Sequence, residues 1–136
     1  MTIKDFSVGQ KVYLLVRSTS NLGRHIRGYE NKELPIDAYI QEAVVTEVGR
    51  KYLTVVIDRL GSKVKFDSTV HFQQVTEYTA DYIGVYLTKQ EIYNRKHAKQ
   101  VLSEIKRIVN EYDEHILNIL TLEELQAVRN ILSRYK

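Results

Sequence analysis

The chain of 136 residues has no cysteine, a single proline and only six glycines. Without thiols there is no disulfide, no thiolate metal site and no cysteine nucleophile. No run of 18 apolar residues is present and the first residues hold no apolar signal core, so a soluble, cytoplasmic protein is expected. GxGxxG, GxxxxGKS and GxSxG are all missing, which removes sequence support for phosphate-cradling loops and for a nucleophile elbow. The four histidines, His25, His71, His97 and His115, form no HxH, HxxxH or HExxH pattern, so no metal site is expected. Asp58, Asp67 and Asp81 fall at strand ends or loops, where turn chemistry accounts for them. The expectation is therefore no catalytic residue, no cofactor and no enzyme, with a small enzyme of unknown type as the third-ranked reading.

What is present has globular proportions. Hydrophobic residues make up 43% and charged residues 27%, which argues against disorder and against a coiled-coil rod. Twenty Lys and Arg against seventeen Asp and Glu give +3, a balance that permits an acidic partner without demanding one.

Two periods divide the chain, and they define an α+β fold. Residues 1–87 alternate. Val12, Leu14 and Val16 face one way and Lys11, Tyr13, Leu15 and Arg17 the other, as in a half-buried strand. The lead-in Asp5–Gln10 offers Phe6 and Val8 as apolar plugs before it. Val44, Val45 and Val48 precede Gly49-Arg50-Lys51, and Tyr52, Leu53, Val55 and Ile57 follow, which is a hairpin pattern. Both alternations of residues 40–48 carry apolar residues, so their inward face is undecided. A turn at Leu60-Gly61-Ser62 leads to Val64 and Phe66, alternating with Lys63, Lys65 and Asp67. A fifth strand is expected in 70–75 or 82–87. Short antiparallel strands with tight turns favour a small barrel of about five strands, because closure removes exposed edges. The connection 18–38 is long and weakly periodic, the kind of segment that is usually functional or mobile.

Residues 88–136 read as a helical hairpin, packed on the barrel or on a partner. Thr88 with Glu91 and Thr121 with Glu124 are capping-box pairs. Ile92, Ala98, Val101, Leu102, Ile105, Ile108, Val109 and Tyr112 form one stripe; Leu122, Leu125, Val128, Ile131 and Leu132 form another. Ile116, Leu117, Ile119 and Leu120 suggest a short turn of helix between them. The first stripe is also able to pair with its own copy, making a homodimer through the hairpin an open option.

Charge is unevenly spread. Residues 88–110 hold six Lys and Arg against Glu91 and Glu104, whereas residues 111–128 hold five acids and no Lys or Arg. These segments either attract each other across the hairpin, or Arg95, Lys96 and Lys99 form a basic face for phosphates. A second basic cluster decorates the barrel: Arg24 and Arg27 beside Tyr29, and Arg50 and Lys51 beside Tyr52. Basic loops with interleaved aromatics suit nucleic-acid backbones and bases; Arg and Tyr also suit protein hot spots. The candidate partner-binding residues are thus Arg24, Arg27, Tyr29, Arg50, Lys51, Tyr52, Arg95, Lys96 and Lys99.

The segments Asp5-Phe6-Ser7-Val8-Gly9-Gln10-Lys11-Val12-Tyr13 and Val45-Thr46-Glu47-Val48-Gly49-Arg50-Lys51-Tyr52-Leu53-Thr54-Val55, with the later Leu122-Glu123-Glu124-Leu125-Gln126, resemble small β-barrel proteins, KOW-like or Tudor-like, of phages and prophages of Gram-positive bacteria. The resemblance covers most of the chain and implies a barrel in a mobile-element setting, hence a host-cell cytoplasm. Such small phage proteins include inhibitors of host nucleases, among them anti-CRISPR proteins. The leading expectation is a non-enzymatic inhibitor or adaptor engaging a host protein or nucleoprotein complex. The alternative is a module that binds DNA or RNA directly, and no membrane partner is expected.

Overall fold

The alternating segments become strands in a computed structural model, which describes residues 1–57, 61–111 and 113–135. Asp58 and Leu60 near the expected second turn, and Tyr112 of the first helical stripe, lie outside the described residues, as does the side chain of Leu117. In chain order the elements are β1 (Lys11–Val16), α1 (Asn21–Arg27), β2 (Ile40–Val48), β3 (Tyr52–Ile57), β4 (Ser62–Asp67), β5 (Gln73–Gln74), β6 (Tyr82–Tyr86), α2 (Lys89–Glu111), α3 (Asp113–Ile119) and α4 (Leu122–Leu132). The chain divides into two compact units, Met1–Arg95 and Lys96–Lys136.

In the first unit all pairings are antiparallel and the spatial order is β5-β4-β3-β2-β1-β6. The two end strands come side by side. Gln74 bridges them, its Oε1 accepting the Tyr82 N–H at 3.0 Å. The result is a nearly closed six-stranded barrel. The expectation of about five strands is corrected because both candidate segments, 70–75 and 82–87, supply one.

Val12, Leu14 and Val16 are buried together with Leu53, Val55, Ile57, Val64 and Phe66, as the alternation predicts. Phe6 also enters this core, but Val8 is 68% exposed and plugs nothing. The undecided face of β2 has a physical explanation. Val45 lies opposite Val55, yet the next pairs are Glu47 with Thr54 and Val48 with Leu53, so Thr46 is an extra residue. A bulge shifts the side-chain alternation by one. Ala43 and Val45 point inward before it, and Val48 lies on the inward side after it.

The long connection carries α1. Ser20 caps this helix: its Oγ accepts the Gly23 N–H at 3.0 Å and its hydroxyl donates to the Arg17 carbonyl at 2.7 Å. Gly28, at φ +69°, closes it in the left-handed region. Pro35 then opens a single 3₁₀ turn over Ile36–Tyr39, and Tyr39 is buried. At the start of α2, Thr88 Oγ1 accepts the Glu91 N–H, while Glu91 reaches back to the Leu87 N–H rather than to Thr88. Ile92 is fully buried in the barrel core, and the Tyr93 hydroxyl donates to the Asp37 carboxylate.

The second unit holds the remainder of α2, with α3 and α4. Thr121 and Glu124 form their capping box as expected. No described residue of 96–134 is buried, and the stripe Val101, Leu102, Ile105, Ile108 and Val109 is exposed. No helix among the described residues is long and apolar enough to cross a membrane.

Candidate nucleic-acid interface

The β2–β3 turn brings Arg50, Lys51 and Tyr52 to one place. The Gly49 N–H donates to the Tyr52 carbonyl at 2.9 Å, closing a tight turn. The Lys51 carbonyl accepts two bonds from Ser68, from its N–H at 2.8 Å and its hydroxyl at 2.7 Å. The backbone of this tip is therefore held from both sides, and its side chains project from a fixed frame.

Tyr52 opens β3 and is 39% exposed. Its cross-strand partner on β4 is Asp67, and the next outward pair is Thr54 with Lys65. Lys65 is thus a diagonal neighbour of the Tyr52 ring, within reach of a long side chain. The Lys51 ammonium lies 5.1 Å from the ring centroid and the Lys65 ammonium 5.2 Å, both within cation–π range. Around this ring a concavity of about 290 Å³ is lined by Glu47, Gly49, Arg50, Lys51, Tyr52, Thr54 and Lys65. Three cations face one carboxylate there.

Asp67 tunes the edge of the site. Its Oδ1 accepts from the Thr69 N–H at 2.9 Å and from the Thr69 hydroxyl at 2.6 Å, and its Oδ2 lies 3.6 Å from the Lys51 ammonium. The Thr69 bonds, with help from Lys51, hold its carboxyl below the usual carboxylate range. Tyr52, then Asp67, hold the Lys51 ammonium above its ordinary value, so it is fully charged at neutral pH.

The other candidate residues lie elsewhere. Arg24 is exposed on α1 and Tyr29 is fully exposed just beyond it. Arg27 is half-buried, its Nε donating to Asn31 Oδ1 and its Nη1 to the Ser18 carbonyl, so it fastens the connection to itself. Arg95 stands near Tyr86: burial pushes that phenol up and the Arg95 charge pulls it partly back. Lys96 and Lys99 follow on α2, exposed, in the second unit. Of the nine candidates, Arg50, Lys51 and Tyr52 line one concavity together. Lys65 completes it, and the alternation of Lys63 and Lys65 against Val64 and Phe66 was its sequence signal. Among the described residues no cluster of His, Asp and Glu is arranged to hold a metal ion.

These features define a small antiparallel β-barrel domain with a basic, aromatic-centred tip. The chain belongs to the phage ProQ C-terminal-like domain family, whose sequence model matches residues 1–135. The match supports the phage-associated setting, while the KOW-like or Tudor-like assignment is finer than the family description. No curated protein and no solved structure matches the chain.

Proposed function

We propose that this domain binds nucleic acid without catalysing a reaction, with single-stranded RNA as its ligand and Tyr52 as the stacking platform. The observation that carries the reading is the exposed Tyr52 ring, flanked by two ammonium groups inside a concavity. A stacked base contributes about 1–3 kcal/mol, comparable to or above the about 1–2 kcal/mol of the two exposed cation–π contacts it would replace. Lysines released from the ring are then placed to meet the flanking phosphates, adding counterion release. The reading of RNA rather than DNA as ligand draws on the ProQ-like family of the chain.

The test is a fluorescence titration of the full chain with single-stranded RNA, duplex RNA and single-stranded DNA across a salt series. Tyr52→Ala is expected to weaken single-strand binding by about 1–3 kcal/mol, roughly 5- to 150-fold, with unfolding temperature nearly unchanged. Lys51→Ala and Lys65→Ala should each flatten the log–log salt slope by about 0.7, the value per phosphate contact on a single strand. Equal binding by Tyr52→Ala and the parent chain would refute the platform.

A second reading, an inhibitor or adaptor directed at a host protein or nucleoprotein complex, draws on Arg24 and Tyr29. Both are exposed around the end of α1, and both are residue types that anchor protein interfaces. Loss of a host partner on Arg24→Glu and Tyr29→Ala, with RNA affinity intact, would separate that surface from the Tyr52 tip.

A further inference from the structure

The second unit consists of helices that leave their apolar stripes uncovered. On α2, Val101, Leu102, Ile105, Ile108 and Val109 are each 40–51% exposed. They recur at steps of three and four, occupying the a, d and e positions of a heptad. On α4, Leu122, Val128, Ile131 and Leu132 are 47–70% exposed. With Ile119, ten exposed aliphatic side chains lie on these helices, more than singly scattered surface residues account for.

Charge says what covers them. Residues 96–110 carry Lys96, Lys99, Lys106 and Arg107 against Glu104, while residues 111–128 carry five acids and no Lys or Arg. One segment is the electrostatic complement of the other; Arg107 and Glu111 already pair within α2 at 3.4 Å and Glu124 caps α4, yet neither segment buries the other's stripe within the unit. A two-fold pairing satisfies both at once, because a symmetric interface presents each segment to its complement twice. We propose that the second unit associates with a second copy of this chain. The basic part of α2 in one copy lies on the acidic 111–128 segment of its partner, and the reverse contact completes the dimer. The association stands apart from RNA binding. Where the Tyr52 reading also holds, each dimer carries two stacking tips, and avidity on one strand follows.

The experiment is sedimentation equilibrium of the full chain without nucleic acid, from sub-micromolar to 100 μM-order concentrations. The expected mass is twice 15.9 kDa. Leu102→Glu with Ile105→Glu should give a monomer whose thermal unfolding of the barrel is unaltered, as these positions are exposed. Lys99→Glu with Lys106→Glu, and separately Glu111→Lys with Glu123→Lys, should each weaken self-association at least tenfold. Mixing those two variants should restore a heterodimer of parental affinity. A parent chain that is monomeric throughout, including one whose stripe is protected from hydrogen exchange by its own barrel, overturns the proposal. So does a dimer indifferent to Leu102→Glu with Ile105→Glu, or a charge-reversed pair that does not recombine.

Discussion

Gly23 shows how one residue can hold a long connection in shape. A Cβ there would meet the carbonyl oxygens of Arg17 and Ser18 at 2.3 and 2.5 Å, both backbone atoms that cannot swing aside. Gly23→Ala is therefore expected to destabilise the domain by about 1–3 kcal/mol, as overpacking does, measured by urea unfolding. Tyr82 supplies a second test at this scale. Its hydroxyl donates to Gln41 Oε1 at 2.8 Å, and burial, reinforced by Asp81, pushes the phenol from 10.0 up to about 12. The folded state holds this proton more tightly than the unfolded chain does. Its contribution is thus fully present below pH 10 and lost as pH rises towards about 12. Lys51 acts in the same direction. Urea unfolding at pH 8, 10 and 11 should show falling stability, with a shallower fall in Tyr82→Phe; an equal fall in both would contradict the assignment. Residues like these were partly legible beforehand. The Arg50-Lys51-Tyr52 tip follows from a hairpin signal, but Ser20 and Gly23 sit in a polar run that reads as loop until the cap is seen. Phe72 is harder still: it and His71 both adopt left-handed backbone, at φ +55° and +52°. That backbone geometry accompanies a Phe72 ring packed 5.3 Å from Phe6, and no periodicity signals it.

At the scale of elements, strands were legible where one face is buried and the period is unbroken. β4 matches its alternation and β3 follows it closely. β1 follows it up to Leu14, but Leu15 is buried too, where the pairing with β6 shifts register at Leu15/Val16. β2 did not yield its inward face because the bulge at Thr46 inverts the period halfway along, giving apolar residues on both alternations. β5 is only two residues long, too short for any pattern to register. Its importance comes from Gln74, whose side chain stands in for ladder hydrogen bonds between the two end strands. Gln74→Leu would leave the half-buried backbone N–H of Tyr82 without its acceptor, a loss of about 1–3 kcal/mol. Hydrogen exchange should show it first as faster exchange at Tyr82 and along β6, while β2 and β3 stay protected. Uniform protection in the variant would mean the barrel is closed by other means. The helices were legible as helices, since the 3.6-residue period and the Thr121 capping box are local. Their packing was not, because a stripe reads the same whether it faces a barrel, a hairpin partner or a second chain.

For the whole molecule, the proposed activity joins the phage ProQ-like family to the Tyr52 concavity: a barrel that would present an aromatic ring and its flanking cations to a polyanion. The fold class and the basic hairpin tip were visible in the sequence, but the convergence of Lys65 on Tyr52 needed the β3–β4 register. Net charge of only +3 makes this a test of local arrangement, since overall attraction is weak. The most direct measurement is the affinity of single-stranded RNA for the parent chain and for Tyr52→Ala, taken at about 50 mM and 200 mM salt. The account predicts saturable binding that weakens with salt and drops at least fivefold in the variant at both concentrations. No binding at the lower salt, or binding that does not notice the loss of the ring, would contradict it.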